Sequence, residues 1–329
     1  MFGINIPNVV SFSLIDGAWQ MAAAITVGLV ATGMLYCRRT NRLKRSPPSP
    51  AILAGTERIV DLGNGIELVL CWIPQGTYVM GSLTGELGKA PNEGPVCVDI
   101  SRGFWLAKTP CTQAQWGQGG GGDVSDRDPV YFHGSCKFTW QNQYDNEGTS
   151  RDHFIGANLP VERIDWPEAR LWCHQLTQKL VAAGKLEKGW YFDLPTEAQW
   201  EYACRAGQQS SLNDGTQVTA REGVCQNLDN VGWYRENSLG RIRDVGQKEP
   251  NSWGLQDMHG NVLEWCRDCY RASLPGGTDP WFSNVTTGRV VRGGAWLMPP
   301  WKCRSAYRIG LSLTCRCNYL GFRPGLFQK

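Results

Sequence analysis

The stretch that decides the fold is WGLQDMHGNVLEW, residues Trp253–Trp265. Gly, Asn and Asp interrupt its apolar residues, so it has neither the 3.6-residue period of a helix nor a sustained strand alternation. Each indole buries on the order of 200 Å² and needs packed neighbours, and the chain contains 15 Trp. We therefore predict an α+β domain with small twisted sheets, two main helices and long ordered loops.

Two helices are predicted upstream of this stretch, because each begins with a capping signal. Asp165 can cap a helix that begins near Pro167 and ends before Gly184. Its apolar stripe comprises Leu171, Trp172, Leu176 and Leu180. Thr196–Gln199 form a capping box for a second helix, which ends at Gly207. The buried face of that helix comprises Trp200, Ala203 and Cys204.

Short strands are predicted on both sides of the helices. The turn signal Gly63-Asn64-Gly65 precedes the apolar run Ile66–Leu70, which we expect to form an early hairpin with Thr77–Met80. Later strand candidates are Val262–Trp265, Arg289–Arg292 and Tyr319–Arg323. Residues 52–329 contain no second linker of biased composition, so we predict that they form one domain.

The N-terminal part of the chain has a different composition. Residues 17–37 carry no charge, and a helix of that length rises roughly 30 Å, enough to cross the hydrocarbon core of a bilayer. Residues 1–16 contain no Lys or Arg, which argues against a cleaved signal peptide. We therefore predict an N-terminal tail at residues 1–16 and a single-pass transmembrane anchor at residues 17–37.

A basic and Pro-rich linker is predicted at residues 38–51. Its Lys and Arg residues directly follow the anchor, so the positive-inside rule places the domain at residues 52–329 in the cytoplasm. A stop-transfer anchor that leaves the domain on the exported side is the alternative. Residues 46–329 hold 28 basic and 29 acidic side chains, so no nucleic-acid partner is expected. The odd count of 13 Cys suits a reducing compartment.

A series of motifs identifies a family. In chain order they are Gly81-Ser82, Phe104–Thr109, Thr112–Trp116, Leu159–Glu162, Leu194–Ala203, Trp253–Trp265, Arg292–Trp296 and Leu320–Arg323. Together they resemble the formylglycine-generating-enzyme (sulfatase-modifying factor) domain family over residues 57–326. The resemblance implies that family's variant of the C-type-lectin-like fold. It does not settle activity, because one fold can carry both enzymes and pure ligand binders.

For an oxidase of this family, the resemblance implies a copper(I) ion held between two cysteine thiolates, soft ligands for a soft cation. Aligned without gaps from the Arg-Gly-Gly motif, the family's serine falls on Ala295, its first cysteine on Met298 and its second on Cys303. A thioether supplies no anionic ligand, so copper binding is not expected, and Cys303 is the remaining catalytic candidate. Cys315 and Cys317 would lie roughly 7 Å apart on an extended strand, too far to share one ion.

Calcium is a candidate cofactor. In the family, the segment that matches Trp253–Trp265 surrounds a hard cation, and the matching positions here are Asp257, Gly260, Val262 and Glu264. Two of these offer carboxylates and two offer carbonyl groups, the oxygen ligands that Ca²⁺ prefers. The alternative is a metal-free turn in which the two carboxylates cap loop amides.

The C-terminal segment is the predicted ligand-binding surface, because residues outside the family motifs alternate there with residues that fit them. The predicted ligand-binding residues are Leu297, Met298, Trp301, Arg304, Ile309, Leu311, Leu313, Cys315, Cys317, Asn318 and Tyr319. Aromatic side chains and arginine forks are typical of recognition surfaces. Of these residues, Leu311, Leu313 and Tyr319 are the candidates for an exposed apolar patch.

The same segment is similar to the variable proteins of diversity-generating retroelements, in which adenine-directed mutation changes asparagine codons. Such codons give Ile, Leu, Cys, Asn and Tyr, which occupy several of these positions, but never Met or Trp. Met298 and Trp301 therefore argue against mutation at their own positions. Family domains that carry a related loop without any retroelement are the alternative.

These patterns favour a membrane-tethered, non-catalytic binding domain for a protein, peptide or glycan ligand. The alternative is a copper-dependent formylglycine-generating oxidase that acts on a sulfatase cysteine.

Overall fold

The computed structural model describes residues 52–122, 154–284 and 288–329. The described helices are α1 (Gln113–Gln118), α2 (Trp166–Ala182), α3 (Glu197–Arg205) and α4 (Gln226–Val231), with a 3-10 turn at Pro300–Lys302. The described strands are β1 (Glu57–Gly63), β2 (Ile66–Ile73), β3 (Gly76–Met80), β4 (Val96–Ile100), β5 (Phe104–Ala107), β6 (Trp190–Asp193), β7 (Gly232–Trp233), β8 (His259–Gly260), β9 (Leu263–Cys269), β10 (Gly277–Thr278), β11 (Gly288–Arg292), β12 (Arg308–Ser312), β13 (Leu320–Gly321) and β14 (Gly325–Gln328).

The segments predicted as tail, anchor and linker, residues 1–51, lie outside the described residues. Within the described ranges, no helix combines the length and the apolar character needed to cross a membrane.

Both predicted helices are present and begin where their caps predict. The Asp165 side chain accepts from the Glu168 amide at 2.9 Å, and the Glu168 carboxylate accepts from the Asp165 amide at 3.0 Å. In α2, Trp172, Leu176 and Leu180 are buried as predicted, but Leu171 is 54% exposed. The prediction for Leu171 was wrong. Successive residues lie 100° apart around the helix axis, so Leu171, one position before the buried Trp172, lies outside the buried stripe.

Helix α3 also has the predicted capping box. The Thr196 hydroxyl accepts from the Gln199 amide at 3.1 Å, and the Gln199 side chain accepts from the Thr196 amide at 2.9 Å. Trp200, Ala203 and Cys204 are inaccessible to solvent as predicted, and the helix is buried on more than one side, because Glu201 and Tyr202 are buried as well. It ends at Ala206, whose φ of 45° is left-handed.

The predicted early hairpin has a different partner. The turn at Asn64-Gly65 joins β2 to β1 in an antiparallel pair, and β5 occupies the other edge of β2. Strand β3 therefore pairs with β4 in another sheet. The prediction that residues 66–70 pair with residues 77–80 was wrong, because both edges of β2 are already hydrogen-bonded.

Small sheets and long loops make up the rest of the α+β domain. One sheet has the order β1-β2-β5-β14-β6, a second has the order β12-β11-β9-β13, and the others are β10-β4-β3 and β7-β8. The three predicted C-terminal strands correspond to β9, β11 and β13, which share the second sheet. The loop after β11 therefore leaves from the middle of a sheet, which fixes the position of the predicted functional segment.

Buried ion pairs join this sheet to α3. Arg292 on β11 pairs with Glu201, and Arg308 on β12 pairs with Glu197 at 2.6 Å. All four side chains are at most 3% exposed. Burial alone raises the pKa of Glu201, but Arg205 and Arg292 hold that pKa below its ordinary value. The interior under the C-terminal segment is thus charged and hydrogen-bonded.

Candidate functional site

The loop that follows β11 is shaped by two glycines. Gly293 and Gly294 have φ values of 95° and 76°, a conformation that L side chains rarely adopt. A Cβ atom on Gly294 would lie 2.6 Å from the Cys303 Sγ. Only glycine therefore allows Cys303 to approach the Arg-Gly-Gly turn this closely.

Cys303 is a buried, protonated thiol. Its side chain is inaccessible to solvent, and burial raises its pKa to about 12, although the Ala295 backbone favours the thiolate slightly. Ala295, at the position where the ungapped alignment places the family's serine, offers no hydroxyl. Met298 is 8% exposed and lies in the same apolar core. Cys303 and Met298 thus offer one thiol and one thioether, which do not fit a copper(I) ion held by two cysteine sulfurs.

His259 supports the loop from beneath. Its Nε2 accepts from the Asn213 amide at 3.0 Å, so the proton resides on Nδ1, which donates to the Cys303 carbonyl at 2.6 Å. Burial lowers the pKa of His259 to about 4, so the ring is neutral. With both nitrogens engaged, His259 positions the backbone and is not available as a base. Its role was not predicted from the sequence, because it depends on contacts between distant segments.

Cys315 and Cys317 lie closer together than predicted. Their Sγ atoms are 3.3 Å apart, not roughly 7 Å, because residues 313–319 form turns and not an extended strand. Cys315 is disulfide-bonded, and burial raises the pKa of the Cys317 thiol to about 11. The two residues therefore do not offer a pair of thiolates.

The predicted ligand-binding residues divide into two groups by burial. The partly exposed ones are Leu297, Trp301, Ile309, Leu313, Asn318 and Tyr319. The buried ones are Met298, Arg304, Leu311, Cys315 and Cys317. Leu311, predicted to be exposed, packs in the main core, because it faces inward on β12.

Arg304 lies in the interior and not on the predicted surface. Its guanidinium pairs with Glu93 at 2.9 Å and with Glu86 at 2.6 Å, and it also donates to the Ser82 hydroxyl and the Gly88 carbonyl. A fully paired, inaccessible guanidinium has no donor left for a ligand. Arg304 instead anchors the segment to the loop that follows β3.

Three of the partly exposed residues lie together. Leu297 and Tyr319 pack on a small cluster that contains Trp296 and Val262, and the Trp296 indole N–H donates to the Asn318 carbonyl at 3.1 Å. We call Leu297, Asn318 and Tyr319 the C-terminal patch. Trp301 and Leu313 do not join this cluster. Trp301 packs edge-on against Tyr307 under the Arg221 guanidinium, and the Leu313 carbonyl accepts from the Trp166 amide at 3.1 Å.

Of the predicted calcium ligands, Asp257 fits best. It is buried with a φ of 55°, and its Oδ2 accepts from the Gly246 amide at 2.7 Å. Its Oδ1 has no hydrogen-bond partner among the described residues. Burial raises its pKa to about 6. A buried carboxylate oxygen without a partner is a plain candidate for a cation ligand.

Glu264 fits calcium less well. Both of its oxygens accept from Arg323, and Oε2 also accepts from the Trp200 indole at 2.7 Å. Gly260 and Val262 lie beside it, and the Gly260 amide donates to the Gly293 carbonyl. Across residues 52–122, 154–284 and 288–329, no three His, Cys, Asp or Glu side chains form a metal-binding group. The four positions thus offer one uncommitted carboxylate oxygen, and calcium binding stays a prediction.

Comparison with known proteins adds sequence and fold relatives. The family model of the Sulfatase-modifying factor enzyme 1-like domain matches residues 67–324. A formylglycine-generating enzyme of Streptomyces coelicolor is 29% identical over 288 residues, 76% of this chain and 87% of that protein. The inactive C-alpha-formylglycine-generating enzyme 2 of Bos taurus is 24% identical over 312 residues, 83% of this chain and 92% of that protein.

One solved structure shares most of the fold. Treponema denticola variable protein 1 superposes with a TM-score of 0.62 at 24% sequence identity, covering 82% of this chain and 98% of that one. At this identity the likeness shows the fold alone.

Proposed function

The chain belongs to the Sulfatase-modifying factor enzyme 1-like domain family, and we propose that it is a membrane-tethered, non-catalytic ligand-binding member of that family. The motif resemblance and the α+β fold predicted from the sequence are confirmed. Membership leaves activity open, because the relatives include proteins named as enzymes and proteins named as inactive.

One observation carries the non-catalytic half of the proposal. In the ungapped alignment from the Arg-Gly-Gly motif, Met298 takes the position of the family's first cysteine and Cys303 that of the second. A copper(I) site of the family type needs two cysteine sulfurs. The oxidase alternative would have to operate with one cysteine and one thioether at these two positions.

The C-terminal patch supports the binding half of the proposal. Leu297, Asn318 and Tyr319 are partly exposed, and Trp296 fixes the backbone beneath them. Recognition surfaces combine aromatic and apolar side chains on a rigid frame. The ligand is a protein, a peptide or a glycan, and these side chains can differ without disturbing the ion pairs below. Diversification by a retroelement predicts a nearby reverse transcriptase gene and an adenine-rich near copy of the codons for residues 289–323.

The tether is proposed from composition alone. Residues 17–37 form the single transmembrane anchor, and residues 38–51 form the basic and Pro-rich linker, whose charges favour a cytoplasmic domain. The exported side is the alternative, and the disulfide bond of Cys315 favours it. External protease applied to intact cells should leave the domain uncut, and lysis should expose it. Digestion without lysis would place the domain on the exported side instead.

The catalytic test uses the full chain with copper and a Cys-x-Pro-x-Arg peptide. We expect no mass loss corresponding to an aldehyde in wild type. The variant Met298→Cys restores the second thiol, so it should take Cu(I) from a chelator that wild type cannot outcompete. Aldehyde formation by wild type would establish the oxidase and refute the non-catalytic function.

The binding test is selection from a peptide or glycan library on the full chain. Binders should lose affinity for Leu297→Ala combined with Tyr319→Ala. The matched control combines Ile59→Ala with Tyr191→Ala, an aliphatic residue and a tyrosine on the five-stranded sheet, and should bind as wild type does. Equal binding by both double variants would remove the C-terminal patch as the ligand site.

A further inference from the structure

A second surface combines arginines with tryptophans. Trp166 and Arg170 lie in the first turns of α2, Arg267 lies on β9, and Arg289 lies on β11. Trp281 lies in the loop that follows β10. The antiparallel pairing of β9 and β11 brings the two strand arginines together, and the Arg289 Nη1 donates to the Arg267 carbonyl at 3.3 Å. We call these five residues the arginine–tryptophan surface.

Each arginine on this surface lies against an indole ring. The Arg289 Cζ lies 3.9 Å from the Trp166 ring centroid, and the Arg170 Cζ lies 5.0 Å from the same centroid. The Arg267 Cζ lies 4.2 Å from the ring of Trp281, which is 50% exposed. Stacking removes water from the faces of the guanidinium groups and leaves their edges as hydrogen-bond donors.

The charges on this surface are not balanced. Asp193 accepts two hydrogen bonds of 2.9 Å from Arg170, and Arg267 approaches the same carboxylate only to 3.8 Å. Arg289 forms no ion pair with any carboxylate in the described ranges, and its Nη1 donates to the Cys269 Sγ at 2.9 Å. The Nε–H groups of Arg267 and Arg289 are buried without a hydrogen-bond partner among the described residues, which leaves the Nη groups to meet a ligand.

The other nearby carboxyl groups do not correct this imbalance. Asp165 and Glu168, on either side of Trp166, both pair with Arg316. The Asp268 oxygens accept from the amides of Glu197 and Phe282 at 2.8 and 3.1 Å. Burial raises the pKa of Asp268 to about 7, so it is only partly ionised at neutral pH. Arg289 is thus a partly dehydrated cation without an anionic partner among the described residues, and such a group gains from an external carboxylate.

The C-terminal segment borders this surface, because the Leu313 carbonyl accepts from the Trp166 amide at 3.1 Å. Leu313 is itself partly exposed. A partly exposed apolar residue at the border of a surface with an excess of arginines matches a ligand that presents an acidic group and an apolar one. Among the described residues, Arg289 has no carboxylate partner and Arg267 has only a long contact of 3.8 Å with Asp193, which is too few free cations for a densely sulfated polymer and enough for one planar carboxylate.

We propose that the arginine–tryptophan surface binds an acidic side chain of a peptide or protein ligand, with Arg289 and Arg267 holding its carboxylate and Trp281 and Leu313 contacting the apolar residue beside it. This inference rests on the proposed function and specifies the ligand as an acidic, apolar peptide segment.

The test measures fluorescence anisotropy of a labelled peptide of alternating Glu and Leu with the full chain. Arg289→Gln and Arg267→Gln should each weaken binding about tenfold, the loss of one charge-assisted hydrogen bond. The control is Arg58→Gln, which removes a guanidinium that is paired with Glu187 at 2.8 Å and lies 6.0 Å from the Trp105 ring. The control variant should bind within about twofold of wild type, as expected for a surface ion pair.

Further measurements separate a local fold defect from a lost contact. Arg289→Lys keeps the positive charge but loses the planar guanidinium with its paired N–H donors. Its affinity for the peptide should therefore lie between those of wild type and Arg289→Gln, and it should retain the wild-type thermal midpoint. A peptide of alternating Gln and Leu should not bind. An equal loss of peptide affinity in Arg58→Gln would overturn the inference. Binding of heparin through Arg289 without binding of the acidic peptide would also overturn it. Library binders that depend on Leu297 and Tyr319 would still support the proposed function in that case.

Discussion

At the residue scale, Asp257 is the most informative side chain. It is a buried carboxyl with one oxygen unpartnered among the described residues, and its φ of 55° is tolerated by Asp and Asn better than by most residues. Burial raises its pKa to about 6, above the ordinary value for Asp, so the folded state binds the proton more tightly than the unfolded state does. Ionised Asp257 therefore destabilises the fold in the absence of a cation.

The pH dependence follows from that sign. Stability should fall as pH rises from about 4 to about 6, and Asp257→Asn should remove the fall. The variant should gain up to about 3 kcal/mol at pH 7.5 and nearly nothing at pH 4. Urea unfolding at both pH values measures the difference. A variant that is less stable than wild type at pH 7.5 would contradict the prediction.

Calcium supplies a second prediction for the same residue. If a cation uses the open oxygen, millimolar Ca²⁺ should raise the thermal midpoint of wild type at pH 7.5, because the bound ion stabilises the folded state only. Asp257→Asn should lose this increase, and Asp279→Asn, at an exposed Asp of similar φ, should keep it. An equal increase in all three proteins would place the cation elsewhere.

The roles of some single residues can be predicted from the sequence, and the roles of others depend on the folded structure. The prediction for Met298 and Cys303 depends only on which atoms occupy two positions, and it stays a prediction. The burial of Arg304 was not predicted, because its partners Glu86 and Glu93 lie more than two hundred positions away in sequence. The lack of a carboxylate partner for Arg289 among the described residues was missed for the same reason, since a cation's partners are a property of the folded chain.

At the scale of elements, capping signals were the most reliable guide. Both capping boxes predicted the helix starts, since each uses side chains only three residues apart. The hairpin prediction failed because strand pairing depends on which edges remain open, and β5 had taken the second edge of β2. The predicted distance between Cys315 and Cys317 was wrong for a related reason, because residues 313–319 do not form the extended strand that the prediction assumed.

The cap of α3 can be tested by one substitution. Thr196→Ala removes the hydroxyl that accepts from the Gln199 amide, so the domain should lose about 1 kcal/mol of unfolding free energy. The control Thr84→Ala alters an exposed turn threonine and should leave stability unchanged. Chemical denaturation followed by circular dichroism compares them. A loss of equal size in both variants would show that the cap contributes nothing specific.

At the scale of the whole molecule, the interior contains several arginine–glutamate ion pairs. Arg292, Arg304, Arg308 and Arg323 are each at most 2% exposed and each pairs with a buried glutamate. Such pairs add little net stability, but removal of one partner leaves an uncompensated charge. The network therefore fixes how the helices, sheets and loops are arranged more than it strengthens the fold.

Removal of one buried cation tests this view. Arg292→Leu leaves Glu201 without its partner on β11, so it should cost about 3 to 5 kcal/mol or prevent folding. The control Lys185→Ala breaks a solvent-exposed pair with Asp61 and should have no measurable effect on the urea midpoint. Similar midpoints for the two variants would show that the buried network is dispensable.

The position of β14 has a kinetic consequence. This strand lies between β5 and β6, and its Leu326 pairs with Trp105 roughly 220 residues earlier in the chain. A pairing of that sequence separation requires closure of a very long loop before any contact compensates for the lost entropy. Refolding should consequently be slow, and a chain that has not yet inserted this strand exposes two unpaired edges to aggregation and to proteolysis.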